Sequence, residues 1–266
     1  MTNHDQFNIL GKPIESLPII KQTRMRFAAW ALTLSMVSLL WVLSATTALA
    51  EFEQSVQVSL GSATGKTTYS NSDPTYSFLS GNLDHNTSGG SLAITYSRVL
   101  DSGLIFGGGY HDYSVSGQNA GYSKAGYCLT TSGATVPCTL TVSLRTDKFE
   151  ISGIFGMVGY RLDFADAWSF RPQGRLGIGN SETFNYSGVA TLSSPSATSV
   201  SAGLSKSVTD SGNMLVFVLP VYYRSNNILL GLEFQSLGQS LTYNSGTVSI
   251  KASLVSATVL TLGFLF

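Results

Sequence analysis

The stretch Thr247 to Phe266, TVSIKASLVSATVLTLGFLF, lies at the end of the chain and decides the fold class. Counted back from the last residue, every second position is mostly apolar: Phe266, Phe264, Leu262, Leu260, Thr258, Ser256, Leu254, Ala252, Ile250 and Val248. The alternate positions include Thr247, Ser249, Lys251, Ser253 and Ala257. A period of two places successive side chains on opposite faces of a β-strand. The stretch therefore predicts a long strand with one apolar face.

The aromatic residues at the last and third-last positions are Phe266 and Phe264. This ending resembles the closing strand of bacterial outer-membrane β-barrels, whose terminal pattern is recognised by the barrel-assembly machinery. The resemblance implies that Phe264 and Phe266 form an assembly signal. It also implies that the assembly machinery is a partner during membrane insertion.

The composition is unusual for a soluble domain. Charged residues make up 11% of the 266 residues, whereas soluble domains contain roughly 25%. The mean hydropathy of +0.18 is too low for a bundle of membrane helices, but it suits a barrel wall with one polar and one apolar face. The 15 basic and 15 acidic residues balance, and we expect no nucleic-acid partner because no basic stripe is present.

The N-terminal region has the three parts of a secretory signal peptide. The basic residues Lys21, Arg24 and Arg26 precede an apolar run at 27–43, and the small-residue segment Ala48 to Ala50 follows. A signal anchor that stays attached is the alternative, since 17 apolar residues reach the lower limit for spanning a bilayer, roughly 17–25 residues. The small-residue segment favours cleavage.

We expect cleavage after Ala50, so that residues 1–50 are an N-terminal extension with a signal peptide and residues 51–266 are the mature barrel. Met25 is the expected true start of translation, because residues 1–24 are polar and unpatterned and Met25 with Arg26 would by itself begin a normal signal peptide. Export brings the two cysteines, Cys128 and Cys138, into an oxidising compartment. They predict one disulfide. A metal site would need a further Cys or His close by, and none is present.

Eight stretches of the exported chain are predicted to be strands, seven of them from a period of two, whereas Met214 to Tyr223 is nearly all apolar and its facing cannot be assigned. They are Phe52 to Leu60, Leu92 to Ser97, Leu104 to Val115, Thr141 to Leu162, Trp168 to Ile178, Met214 to Tyr223, Ile228 to Gln235 and Thr247 to Phe266. Long polar segments that we interpret as loops alternate with short turns. The three longest are Gly61 to Gly90, Ser116 to Leu140 and Phe184 to Gly212, although 189–208 is also compatible with strands extending above the membrane.

An even strand number with alternating long and short connections is typical of outer-membrane barrels. We therefore predict an all-β fold, a transmembrane antiparallel up-and-down β-barrel of eight strands with four extracellular loops. Ten strands are the alternative if one long loop contains a hairpin. The chain as a whole resembles the small OmpA/OmpX-like barrels of the porin family of outer-membrane proteins. The resemblance implies a location in the bacterial outer membrane, with membrane lipid and lipopolysaccharide as neighbours.

Five charged residues are predicted to line the barrel interior. They are Glu150, Arg171, Arg175, Glu233 and Lys251, each on the polar face of a strand whose other face is apolar. The interior of an eight-strand barrel is just wide enough to be filled by side chains. Charges of both signs are needed there, because an unpaired charge in a narrow interior is costly. The sequence predicts a plugged interior, and a charged constriction that selects solutes is the alternative.

Catalytic groups do not form a convincing set. His85 lies beside Asp84, and His111 is followed by Asp112 and Ser114. Neighbouring residues of a strand point to opposite faces, so a His-Asp pair of this kind does not converge. Lipid A deacylases of this architecture use a His and a Ser two positions apart on a late strand, and that pattern is not met. We expect a protein without enzymatic activity, metal or cofactor.

The expected function is a structural or surface-interaction role carried by the extracellular loops, whose ligand the sequence does not identify. Their Ser, Thr, Asn, Gly and Tyr content suits adaptable contacts with amphipathic anchors. A narrow porin-like channel for small solutes is the alternative. A lipid-modifying barrel enzyme is a further, weaker alternative.

Overall fold

The computed structural model describes residues 52–72, 81–129, 132–195, 197–246 and 248–266. The predicted signal peptide, with Met25 and the cleavage point after Ala50, lies outside these residues. So does the middle of the first predicted loop, residues 73–80. None of the described residues belongs to a helix long and apolar enough to cross a bilayer.

Within these described residues, twelve strands make up a single antiparallel sheet. Their bounds are β1 Phe52–Asn71, β2 Gly81–Leu100, β3 Leu104–Gly117, β4 Ala120–Leu129, β5 Thr135–Tyr160, β6 Leu162–Ala165, β7 Trp168–Phe170, β8 Gln173–Ser194, β9 Ala197–Ser225, β10 Ile228–Leu237, β11 Ser240–Ser245 and β12 Val248–Leu265.

Eight of these strands close into a ring in the order β1, β2, β3, β5, β8, β9, β10, β12. The last strand pairs with the first, with Val56 opposite Phe264 and Leu60 opposite Leu260. The short strands stay outside the ring: β4 pairs with β5, β11 with β12, and β6 and β7 form a small hairpin at a turn. The predicted fold class, an all-β eight-strand barrel, is confirmed. A ring of ten is not formed.

The strands continue far beyond the predicted bounds, so the interpretation of three long segments as loops is wrong. β1 and β2 stay paired up to Asn71 and Gly81. The cysteine-bearing segment contains the hairpin of β4 and β5, and the third segment is the upper part of β8 and β9. Backbone pairing does not need an apolar face, so polar strands above a membrane lose the sequence period while keeping their hydrogen bonds.

The outer surface carries a band of large apolar side chains. These side chains are 41–69% exposed: Val58, Leu60, Ile94, Ile154, Val158, Leu215, Phe217, Leu219, Leu230, Phe234, Leu260 and Phe264. At the same height many inward positions are polar and buried: Ser55, Gln57, Ser59, Thr95, Ser97, Arg175, Glu233, Gln235 and Thr261. Apolar side chains outside and polar side chains inside are the arrangement of a membrane-spanning barrel. We call this height the membrane band.

A β-bulge in β12 reverses the facing of its side chains. Thr64 pairs with Ser256 and Gly65 with Leu254, so Val255 is the extra residue. Below the bulge the outward positions are Leu260, Leu262 and Phe264, whereas above it Ile250, Ala252 and Leu254 are buried inside. The prediction of one continuous apolar face is therefore wrong, because an inserted residue shifts a period of two by one position.

A second bulge lies in β8 at Ile178 and Gly179, between the pairs Gly177 with Met214 and Asn180 with Gly212. Gly179 has a φ of 62°, a left-handed conformation that residues with a Cβ rarely adopt. The inward positions are Gln173 and Arg175 below this bulge. Above it they change from odd to even numbers, so that Asn180 and the residues two and four positions on face inward.

Candidate functional site

The barrel interior at the height of the membrane band is built around a buried carboxylate. Glu233 on β10 has no exposed surface and accepts four hydrogen bonds. The donors are Arg175 Nη2 at 3.1 Å, Tyr222 Oη at 2.7 Å, Gln235 Nε2 at 2.9 Å and Thr261 Oγ1 at 2.9 Å. This number of donors satisfies a buried carboxylate, and the guanidinium neutralises its charge.

The network crosses the whole interior. Tyr113 on β3 donates its hydroxyl to Gln235 Oε1 on β10 at 2.7 Å. In the ring, three strands separate β3 from β10 on either side, so the bond joins opposite walls. The Arg175 guanidinium lies 5.2 Å above the Phe155 ring, against which the His111 ring is stacked at 5.4 Å. These side chains fill the barrel at this height.

A second, apolar layer fills the barrel above the membrane band. Its fully buried members include Ala63, Leu144, Phe149, Ile151, Phe184, Met214, Ile250, Ala252 and Leu254. The rings of Phe149 and Phe184 meet edge to face at 6.0 Å. Burial of such side chains stabilises the upper barrel as it does a soluble core. The interior is thus occupied at two heights by chemically different layers.

Three of the five charges predicted for the interior lie there. Arg175 and Glu233 form the ion pair of the network. Arg171 is buried near one end of the barrel, where its Nη1 lies 2.9 Å from Glu53 Oε1. Both arginines come from the part of β8 and its approach where the sequence alternates polar and apolar residues without interruption.

The other two predicted positions are wrong. Glu150 lies on the outer face, where it forms an ion pair with Lys148, because its neighbours Phe149 and Ile151 are the residues buried inside. Its strand has already risen above the membrane band, and there the apolar face points into the barrel.

Lys251 is likewise exposed on the outer face, between the buried side chains of Ile250 and Ala252. The bulge at Val255 separates it from the membrane band. For both residues the prediction assumed that the apolar face of the strand contacts lipid. Above the lipid the apolar face points into the barrel instead, so the polar residues point outward.

A cluster at the short-turn end was not predicted from the sequence. Glu53 on β1 accepts contacts from three guanidinium groups: Arg161 Nη1 at 3.3 Å, Arg171 Nη1 at 2.9 Å and Arg224 Nη1 at 2.9 Å. We call these four residues the Glu53 cluster. Its arginines follow β5, precede β8 and end β9, so the only signal in the sequence is a basic residue beside each of several turns.

The cysteines are joined as predicted. Cys128 and Cys138 form a disulfide with a Cα–Cα distance of 5.9 Å. Both are buried on the hairpin of β4 and β5. The disulfide fastens the two strands of the hairpin near its tip, at the end of the barrel opposite the Glu53 cluster.

In each of the two His-Asp pairs considered as catalytic groups, the two side chains lie on opposite faces of their strand. His111 is buried inside, with Asp112 on the opposite face of β3. His85 Nε2 lies 3.0 Å from Thr146 Oγ1 inside the barrel, whereas Asp84 binds Lys66 Nζ outside at 2.6 Å. Burial lowers the pKa of His85, and the hydrogen bond from Lys66 lowers the pKa of Asp84. Neither pair forms a base and a nucleophile in contact.

Among the described residues, no group of three or more His, Cys, Asp or Glu side chains could hold a metal ion. The predicted assembly residues Phe264 and Phe266 are exposed on the outer surface at the short-turn end. Phe264 pairs with Val56 and with Ile228, which places it in the lower part of the membrane band.

No protein-family model matches the chain, and no curated protein matches its sequence. Solved structures with a similar course of the chain include three outer-membrane proteins. The outer membrane protease OmpT from Escherichia coli is 9% identical, with 83% of this chain and 100% of that chain covered and a TM-score of 0.42. The outer membrane protein OprG from Pseudomonas aeruginosa is 11% identical, with 80% and 95% covered and a TM-score of 0.36. The attachment invasion locus protein Ail of Yersinia pestis is 12% identical, with 81% and 99% covered and a TM-score of 0.26.

The barrel's own geometry carries the assignment. Eight antiparallel strands close without a free edge at the height of the membrane band, the outside of that band is apolar, and its inside carries many buried polar side chains. A closed ring pairs every backbone group, which is what a lipid environment demands. The chain therefore has the fold of the small outer-membrane β-barrels.

Proposed function

We propose that this protein is a non-enzymatic barrel of the outer membrane of a Gram-negative bacterium, and that it acts through its extracellular end in a structural or surface-interaction role. The observation that carries the proposal is the hydrogen bond between Tyr113 and Gln235, which crosses the interior beside the Glu233 and Arg175 ion pair. A lumen filled in this way does not serve as a wide solute path.

The height of the extracellular end above the membrane band supports the same proposal. β1 and β2 stay paired for eleven residues above Leu60, up to Asn71. At about 3.3 Å per residue and a tilt of about 40°, this raises the end of β1 by roughly 25 Å above the membrane band. The apolar layer inside makes this part a rigid stalk, and the disulfide fixes the hairpin at its tip.

The partners during biogenesis belong to the proposal as well. Export with cleavage after Ala50, insertion by the barrel-assembly machinery through Phe264 and Phe266, and contact with lipopolysaccharide all follow from the expected location. An extracellular ligand would be bound by the stalk and its hairpins.

A narrow channel for small polar solutes is the second candidate. Buried polar atoms without a protein partner favour it: both ring nitrogens of His111, Nε and Nη1 of Arg175, and both side-chain amide atoms of Asn180. Groups of this kind require hydrogen-bonding partners, and a polar solute in transit could supply them. Opening would need the ion pair of Arg175 and Glu233 to separate.

Single-channel conductance separates the two candidates. The folded protein, recognised by the shift of its gel mobility on boiling, is inserted into a planar bilayer. We expect a silent bilayer, which supports action through the extracellular end. Discrete steps whose size changes with Glu233→Gln, but not with Glu150→Gln on the outer face, would instead establish the channel.

A further inference from the structure

The Glu53 cluster has more positive than negative charge. Three guanidinium groups surround the Glu53 carboxylate. Arg161 also lies 3.2 Å from Asp163, whose side chain is 58% exposed. Within the part of the chain that the structure describes, these two carboxylates are the acidic groups within 4 Å of the cluster's arginines. The three positive charges of the arginines are thus opposed by two negative charges, of which that of Glu53 is shielded and that of Asp163 is exposed to solvent.

The three arginines differ in what they can do. Arg171 is buried, donates from Nε to Ser169 Oγ at 3.0 Å and lies 5.3 Å above the Tyr222 ring. Its contacts with Glu53 and Tyr222 hold the cluster together. Arg161 and Arg224 are 24% and 52% exposed, so their remaining N–H groups can reach a molecule outside the barrel. Glu53 and Arg171 thus form the fixed base of the cluster. Arg161 and Arg224 are its two accessible side chains, which we call its arms.

Guanidinium groups bind phosphate and carboxylate in a two-pronged geometry, and like charges held close together repel unless an anion joins them. The cluster lies at the short-turn end, which faces the periplasm in outer-membrane barrels. In an outer-membrane barrel the headgroups of the inner leaflet surround this end.

We propose that Arg161 and Arg224 form a periplasmic binding site for a phosphate or carboxylate group. The group belongs either to a lipid headgroup of the inner leaflet or to a soluble periplasmic anion. The bound anion accepts hydrogen bonds from both arms and balances the charge that Glu53 leaves uncompensated. This site is separate from the extracellular end and does not depend on the role proposed for it.

The test uses the folded full chain with ¹⁵N-labelled arginine in a maltoside detergent, which carries no phosphate. Inorganic phosphate is titrated against chloride at equal ionic strength, and the arginine Nε–H resonances are followed by NMR. We expect the resonances of Arg161 and Arg224 to shift saturably with phosphate. The resonance of Arg145, which pairs with Asp147 at the opposite end, serves as the internal reference and stays in place.

The double variant Arg161→Gln with Arg224→Gln removes both arms and leaves the buried contact of Glu53 with Arg171 intact. Since its two assigned signals are lost, phosphate binding is also measured by calorimetry in the same detergent. We expect at least about a tenfold weaker affinity, whereas the control Arg145→Gln binds as the parent does. Equal affinity in the double variant and the parent would overturn the proposal, as would a linear shift shared by all arginines.

The source of the group is decided with vesicles in phosphate-free buffer. A shift in phosphatidylcholine vesicles that is missing in vesicles of an uncharged galactolipid supports a lipid headgroup. A shift that needs inorganic phosphate in both kinds of vesicle supports a soluble anion. No shift under any of these conditions overturns the site.

Discussion

Tyr113 and Gln235 lie 122 positions apart in the chain and on opposite walls of the barrel, yet their side chains share a hydrogen bond of 2.7 Å. The bond connects β3 to β10 without passing through the sheet. Gln235 in turn donates to Glu233, so a side chain from the far wall helps to orient the carboxylate that binds Arg175. The lumen is closed by a polar network that spans it.

Replacing Glu233 with Gln should strongly destabilise the barrel. The change leaves the guanidinium of Arg175 buried without a counter-charge, which costs about 3–5 kcal/mol. We expect the urea midpoint of unfolding in lipid vesicles to fall accordingly. The matched control is Glu150→Gln, which removes a carboxylate from an ion pair on the outer face and should change the stability by about 0.5 kcal/mol or less. Equal losses in the two variants would contradict the network's role.

A side chain at Gly179 should be destabilising for reasons of backbone conformation alone. Its φ of 62° costs a residue with a Cβ about 1–2 kcal/mol, although no atom lies within 4 Å of an added Cβ. Gly179→Ala should therefore lower the free energy of unfolding by about that amount. Gly174→Ala is the control, because that position is equally open but has no positive φ. If both variants are equally stable, the bulge adapts to the new residue.

The sequence predicts the barrel because the membrane imposes a period of two on its strands. Ile228 to Gln235 alternates as lipid and interior require, and Glu233 is found inside as that pattern predicts. Above the membrane band this constraint is absent. Lys251 was therefore misplaced, since a bulge changes the phase and the apolar side chains turn inward. The Glu53 cluster was missed because Glu53 lies more than 100 positions from each of its arginines. A periodic pattern within one strand carries no information about contacts between residues so far apart in the chain.

Acidification should weaken the stalk through His85. Burial lowers its pKa in the folded protein below the ordinary 6.5, so the unfolded chain takes up a proton first as the pH falls. The contribution of neutral His85 to the free energy of unfolding is complete above pH 6.5. It declines as the pH falls from there toward the pKa that His85 has in the folded protein. We expect unfolding of the parent to depend more steeply on pH below 6.5 than that of His85→Gln. Parallel pH profiles of the two proteins would show that His85 does not contribute.

The disulfide should protect the hairpin and leave the membrane-spanning ring unchanged. Cys128 and Cys138 close a short loop, with a sequence separation of 10, and a cross-link of this length stabilises by about 2–3 kcal/mol in the chain-entropy model. Cys128 lies on β4, which pairs with β5 alone and lies outside the ring, and Cys138 lies on the upper part of β5 that pairs with β4, so the gain is confined to the tip. In the variant Cys128→Ser with Cys138→Ser we expect faster proteolysis of the hairpin on whole cells. The shift in gel mobility on boiling should persist, and its loss would show that the disulfide is needed for the barrel itself.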